Sequence, residues 1–391
     1  MDRFADARSF IEAMRPERAV FGLRPHASGR AAKWFLDNFP GEVAYAYKAN
    51  SSVFLVGSLY GAGIRNFDVA SLPELEDAAT IPKAQLHFMH PIKSRMAIRR
   101  AYHEYDVKCF ALDSEAELEK ILQETDHAQD LQLYVRLTVP SKDSGLPLEH
   151  KFGIAGEAAK DLLIKTRQSC DELGIAFHVG SQTMTTDSFR LAFDMVRKAI
   201  VEAGVVVDAI DCGGGFPARY SEEEPAALSE FMTVIGESFE ALPVSQDAKL
   251  ICEPGRALVA EAESLIVRVD HRRENDLFIT DGGYGALFDA AHLGFVFPVR
   301  LVGQENTPKS QCVPFQFWGP TCDSVDFMKG PFYLPDTVQE GDYIEIGNMG
   351  AYGRAIAGNF NGYGTYGEVI LDDEPMYSMF ADQPGALAQD A

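Results

Sequence analysis

VAYAYKAN, residues 43–50, opens the pattern that decides the fold. Its apolar and aromatic start reads as a short strand, and Lys48 near its end is the discordant residue. An ammonium on a largely buried element loses hydration unless it is paired or neutralised. Similar runs recur downstream: NFDVAS (66–71), LHFMHP (86–91), VKCFALD (107–113), LQLYVRL (131–137), IAFHVG (175–180), VDAIDCG (207–213) and KLICEPG (249–255). Between them lie SLPELEDAA (71–79), SEAELEKILQ (114–123) and DSFRLAFDMVRKAIVEAG (187–204), with apolar residues every three or four positions. Each opens with Ser or Asp, as N-capped amphipathic helices do. Strands alternating with helices in this way predict an α/β fold, a (β/α)8 barrel over 26–262.

Beyond about residue 262 the texture changes to strands and turns: SLIVRVD (264–270), LFITDGGYG (277–285), FPVRLVG (297–303), DYIEIG (342–347) and GEVIL (367–371). A β domain is therefore expected over 263–391. RAVFGL (18–23) predicts one more strand, so that residues 1–25 join the β domain before the chain enters the barrel. The tail ADQPGALAQDA (381–391) is expected to fray.

A chain of 391 residues, 46% hydrophobic and 24% charged, is ordinary for a two-domain globular enzyme. The net charge of -23 argues against nucleic acid or an anionic membrane as partner. It favours cationic ligands, although screening beyond roughly 8 Å leaves the choice to local carboxylates. No long uncharged apolar run is present and MDRFADARSF lacks the layout of a signal peptide, so a cytoplasmic location is expected. The six cysteines form no CxxC pair, which favours reduced thiols. His87 and His90 have no partner cluster, so no metal site is expected.

The candidate chemical groups fall at strand ends, where barrel enzymes keep their chemistry. Lys48 reads either as a strand-end lysine that snorkels to water or as the amine of a Schiff base. The latter needs an aldehyde, and pyridoxal phosphate supplies one together with a phosphate and a pyridine ring. GGGFP (213–217) is a turn or a phosphate cradle built from Gly213, Gly214 and Gly215. In CEPGR (252–256), Glu253 is a rim salt-bridge partner or the group that keeps a pyridine nitrogen protonated, and Arg256 suits a phosphate oxygen. His178 is a satisfied core histidine or a flat ring stacked on a cofactor, with Ser181 within reach of a phosphate. In GPTCDSVD (319–326), Cys322 alone reads as a small hydrophobe, and Asp323 and Asp326 as a solvated acidic loop.

Taken together, YAYKAN, FDVAS (67–71), KFG (151–153), FHVGSQ (177–182), GGGFP, EPGR, GPTCDSVD, GAYG (350–353) and FNG (360–362) resemble the fold type III, alanine-racemase-like pyridoxal phosphate enzymes, and among them the ornithine decarboxylase branch. The resemblance spans nearly the whole chain. It implies that Lys48 carries the cofactor covalently, that Glu253 pairs with the pyridinium, and that His178 stacks behind the ring. Arg136 would approach the phenolic oxygen, and Asp68 would lie near Lys48. Ser181, Gly215, Gly255, Arg256 and Tyr352 would hold the phosphate. Cys322 and Asp323 would enter the partner subunit's site, which implies a homodimer. Lys151 and Asp326 would form a salt bridge across the same interface.

The implied reaction is decarboxylation of a basic L-amino acid, with Cys322 helping to return a proton to Cα. GALFDAAHL (285–293) resembles the family's specificity element, placing Asp289 next to Phe288 so as to meet a distal ammonium. Asp323 adds a second carboxylate. L-Ornithine giving putrescine is the first choice and lysine, one methylene longer, the second, since that difference is worth only ~1 to 3 kcal/mol. Relatives acting on arginine tend to carry a glutamate near Asp289, and diaminopimelate decarboxylases usually carry CE where this chain has CD. Racemase activity and a non-catalytic regulatory homologue are the remaining alternatives.

Overall fold

A computed structural model of the chain describes residues 1–141, 144–147, 151–220, 224–305 and 307–380. The tail expected to fray lies outside the described residues. Eight parallel strands close into a barrel: Glu42–Ala46, Asn66–Val69, Gln85–Phe88, Cys109–Leu112, Gln132–Arg136, Glu172–Ala176, Ala209–Asp211 and Lys249–Cys252. Each pairs with the next, and the last closes on the first, with Cys252 opposite Val43. Ala44, Ala111, Ala176 and Ala209 share the barrel interior with Met89, Cys109, Tyr134 and Ile251. The (β/α)8 expectation holds because each apolar run is too short for a helix and each spacer has one apolar stripe to bury on the sheet.

The helix starts follow local capping chemistry. Ser71 accepts the Glu74 N–H at 3.3 Å, and Ser114 accepts the Glu117 N–H at 3.3 Å. The third spacer differs: its cap position is Thr186, without a side-chain cap bond, and Asp187 falls in the first turn of helix Asp187–Ala203. There its charge complements the helix dipole instead of capping.

Lys48 is also displaced from the expected strand. The strand ends at Ala46, and Tyr47–Ala49 forms a 3₁₀ turn. Asn50 holds that turn from below: its Nδ2 donates to Glu263 Oε2 at 3.1 Å and to the Gly350 carbonyl at 2.8 Å, while its own carbonyl accepts the Tyr45 hydroxyl at 2.8 Å. The result turns Lys48 off the sheet and into the mouth of the barrel.

The second unit is a nine-stranded sheet centred on the long strand Glu263–Arg273. That strand pairs antiparallel with Val20–Leu23, with Tyr343–Ile346 and with Asp276–Ile279. Val20–Leu23 also pairs in parallel with Gly367–Leu371, so the N-terminal segment and the last strand are joined in one sheet. Arg24, 1% exposed, bridges the segments by donating to Glu345 Oε1 and Asp373 Oδ1. Such a cation is tolerated inside because it is fully paired. No described helix is long and apolar enough to cross a membrane.

Candidate active site

A cavity of about 390 Å³ opens at the C-terminal mouth of the barrel. Lys48, Asp68, Arg136, His178, Ser181, Glu253 and Tyr352 all face it, although they come from five barrel strand ends and one loop of the β domain. Lys48 keeps 43% of its side-chain surface accessible because it projects into this cavity, and its Nζ donates to Asp68 Oδ2 at 3.3 Å. The Asp68 carboxylate, opposed by desolvation, raises the Lys48 amine above the usual lysine range. The free amine is therefore stored as an ammonium, paired and not neutral.

His178 lies two residues beyond its strand, and its Nδ1 accepts the Gly180 N–H at 3.1 Å. Desolvation, then the Arg136 and Lys48 cations, push it well below the usual histidine range. It is thus a neutral ring with its proton on Nε2, suited to lie against another conjugated ring. Glu253 is enclosed at the opposite wall, with no hydrogen-bond partner on Oε1. Desolvation, then Asp211 and Asp68, raise its carboxyl well above the ordinary range. A cation placed at Oε1 would reverse that shift.

The phosphate end is equally specific in its chemistry. Arg256, 4% exposed, donates from Nε to Ser181 Oγ at 3.3 Å and from Nη1 to the Tyr220 hydroxyl at 2.7 Å. The rings of Phe295 and Tyr352 lie 5.0 Å and 4.9 Å from its guanidinium carbon. A Cβ at Gly214 would lie 2.7 Å from the Glu253 carbonyl. One at Gly215, where φ is +100°, would lie 2.6 Å from the Gly180 carbonyl. The neighbouring Gly213 N–H is committed to Asp211 Oδ1 at 2.8 Å. Beside Gly215, the buried hydroxyl of Thr183 has no partner. Gly255 also packs tightly, with space for no Cβ closer than 3.0 Å to Ala49. An amine, an unpartnered carboxyl, a neutral ring and a guanidinium beside close-packed glycines fit the aldehyde, pyridine nitrogen, ring face and phosphate of pyridoxal phosphate. Gly215→Ala is expected to weaken cofactor binding at least ~10-fold, because its φ and its backbone neighbours both oppose a Cβ. Fluorescence titration with the cofactor checks this.

Four further groups sit elsewhere. Cys322 and Asp323 line a separate cleft of about 430 Å³ with Phe278, Trp318 and Tyr363. The Tyr284 hydroxyl donates to Asp323 Oδ2 at 2.7 Å, which, with backbone N–H groups, holds that carboxyl below its ordinary range. Asp289, 5% exposed, faces Arg256 Nη2 at 3.7 Å and not the Lys48 cavity, and the Phe288 ring lies tilted against His292 with centroids 4.6 Å apart. In this protomer the helix Phe288–His292 turns the Asp289 carboxylate toward the Arg256 guanidinium, outside the residues that line the Lys48 cavity. Asp326 departs further. It is 1% exposed and accepts from the Gly283 N–H at 2.7 Å and from the Thr321 hydroxyl at 2.7 Å, so it closes its own loop. Lys151 lines the cavity instead of meeting it. Within one protomer Asp326 therefore serves as the cap of its own loop.

Sequence reading gave no site role to Asp211, Thr183, Tyr220 and Phe295, and weighed His90 only as a metal ligand. Asp211 offered a signal, an acid ending an apolar strand directly before CGGG; the aromatic residues offered none. Among the described residues no cluster of three metal-ligating side chains occurs, and no disulfide joins the six cysteines.

Burial has one general consequence. Asp211, Glu261, Glu263 and Asp281 are each raised to about 7, chiefly by desolvation. An acid raised on folding stabilises fully below its unfolded value, and that contribution is lost as pH rises to the folded one. The cofactor-free protein should therefore lose several degrees of Tm between about pH 4 and 7. Scanning calorimetry across that range measures it; a Tm that rises would contradict the assignment.

Residues 28–260 match the family model for the pyridoxal binding domain of pyridoxal-dependent decarboxylases. A lysine/ornithine decarboxylase of Selenomonas ruminantium is 30% identical over 346 residues, covering 86% of this chain and 85% of the relative. A diaminopimelate decarboxylase of Pseudomonas fluorescens is 30% identical over 364 residues, covering 88% and 84%. The solved lysine/ornithine decarboxylase of Vibrio vulnificus complexed with putrescine superposes with a TM-score of 0.78 at 27% identity, covering 93% of this chain and 96% of that one. With a closed barrel, a lysine at its mouth and these relatives over most of its length, the chain belongs to the pyridoxal-dependent decarboxylases.

Proposed function

We propose that the enzyme decarboxylates a basic L-amino acid, L-ornithine to putrescine first and L-lysine second, in a homodimer whose subunits complete each other's sites. The carrying observation is a charge count inside the cavity. Among its described lining residues the acids are Asp68 and Glu253. Asp68 is paired with Lys48, and Glu253 faces the place of the pyridine nitrogen. Neither is free for a distal ammonium, so among the described residues its carboxylate comes from outside this lining. Asp323 fits, because it sits half-buried beside the exposed Cys322 on a loop that its own Lys48 cavity does not use.

Bound pyridoxal phosphate supplies an electron-accepting ring that takes up the electron pair left when the substrate carboxylate departs as carbon dioxide. The protein's own groups set up that event. Glu253 holds a proton at the ring nitrogen. His178 covers one face as a neutral ring, excluding water without adding charge. Arg256 and the close-packed Gly214 and Gly215 anchor the phosphate, while Asp68 keeps the Lys48 amine at the aldehyde. Cys322 of the partner subunit delivers a proton to Cα.

Lys151 in the cavity wall supports a second reading, a substrate with a distal carboxylate such as diaminopimelate. Carbon dioxide release from L-ornithine, L-lysine, L-arginine and meso-diaminopimelate separates the two. Putrescine as main product is expected, with cadaverine within roughly 10- to 200-fold in kcat/KM, the range one methylene supports. Preferential turnover of diaminopimelate would overturn the basic side-chain reading and point to Lys151.

A further inference from the structure

We propose that Asp211 is the positioning residue for Glu253: the two carboxyl groups hold one proton between them, and Glu253 delivers it to the pyridine nitrogen when the cofactor seats. This rests on the reading that Glu253 faces that nitrogen.

The backbone brings the two acids together. The seventh and eighth barrel strands run parallel, with Asp211 opposite Ile251. The ladder continues past both strand ends, from the Cys212 N–H to the Ile251 carbonyl at 2.9 Å and from the Glu253 N–H to the Gly213 carbonyl at 2.8 Å. Asp211 is 1% exposed, with Oδ1 accepting the Gly213 N–H and Oδ2 unpartnered. Glu253 Oε1 is unpartnered too, and the register sets the two acids one rung apart on the same face of the paired strands. Two ionised carboxylates accept only and repel, so burying them side by side requires a proton on one of them.

The surrounding charges agree. Asp68 adds a third carboxylate, while Lys48 and Arg136 supply the nearby cations, and the thiols of Cys109 and Cys212 are held neutral by burial. No described lysine or arginine forms an ion pair with Asp211 or Glu253. Asp211 already accepts the Gly213 N–H, which favours its ionised form, whereas no described donor reaches Glu253 Oε1, and this puts the shared proton on the residue that faces the cavity. Delivery breaks the O–H bond of the Glu253 carboxyl and forms an N–H bond at the ring. No electrons are exchanged, and the product is a pyridinium beside two carboxylates. Asp211 then keeps Glu253 aimed through the fixed Gly213 contact.

The test is a proton inventory on cofactor-stripped protein, by calorimetric titration with pyridoxal phosphate at pH 7 in buffers of different ionisation enthalpy. In wild type the ring proton comes from within. In Asp211→Asn the side-chain amide donates to Glu253 and leaves it ionised, so binding should take up about one more proton per site than wild type. Equal uptake overturns the proposal. Ring-nitrogen resonances of ¹⁵N-labelled cofactor test the underlying reading: protonated in wild type and in Asp211→Asn, unprotonated in Glu253→Gln. An unchanged resonance in Glu253→Gln would sink the Glu253 assignment itself, whereas normal behaviour there with equal uptake would sink only the role of Asp211. If Asp211→Asn does not fold, infrared difference spectra of wild type decide. One protonated-carboxyl band must vanish when cofactor is added, and its absence from the cofactor-free protein refutes the shared proton.

Discussion

Lys48→Ala is expected to abolish covalent cofactor attachment and to lower decarboxylation by roughly 10⁴-fold or more, the scale of removing a covalent group that acts together with its neighbours. Lys48 is held at the cavity mouth by the 3₁₀ turn Tyr47–Ala49 and paired with Asp68, so nothing else on the barrel occupies its place. Peptide mapping after borohydride reduction checks the assignment directly. Wild type should carry the reduced adduct on Lys48 alone. Lys151 lines the same cavity and is the instructive competitor. An adduct that persists on Lys151 in the alanine variant, with activity retained, would show that Lys48 serves only as the partner of Asp68.

The second large effect is gained rather than lost. Lys48→Ala and Cys322→Ala proteins, each nearly inactive alone, should recover about a quarter of wild-type activity when mixed, since half the dimers after random exchange are mixed and each of those has one intact site. The reasoning is geometric. Cys322 and Asp323 line a cleft distinct from the Lys48 cavity of their own protomer. If they act in the reaction, they do so across an interface. Native mass spectrometry verifies subunit exchange; absent recovery after verified exchange would place both residues outside the partner's chemistry.

The two proposals concern different parts of one cavity. On these proposals Asp211 and Glu253 would set the charge of the ring before substrate arrives, whereas Cys322 and Asp323 would decide which substrate is held and where its proton returns. Activity loss alone cannot separate these roles, which is why the proton inventory and the mixing experiment read other quantities.

The barrel was legible from Val43 to Gly255 because each short apolar run and each striped spacer declares its own period, and parallel strands need those crossovers. Lys48, His178, Glu253 and Arg256 were legible for the same reason: each follows a strand, and strand ends of such barrels converge on one face. Fine placement was not. Lys48 leaves its strand because Asn50 is held by Glu263 and Gly350, partners 213 and 300 residues away in the chain. Asp289 and Asp326 carry side chains that could reach a ligand or a neighbour, and sequence is silent on which donor lies nearer. In the fold, Arg256 takes the first and the loop's own Gly283 and Thr321 take the second.

Local periodicity thus determined the architecture and which side chains converge at the barrel mouth, since these depend on spacings within a strand or turn, and the ordered motifs pointed to the cofactor. Tertiary structure alone decided that Asp211 meets Glu253, that Arg256 sits among Tyr220, Phe295 and Tyr352, and that Cys322 lies away from its own Lys48. Those contacts join distant segments, and their geometry is set by how sheet and barrel pack, a property no local pattern contains.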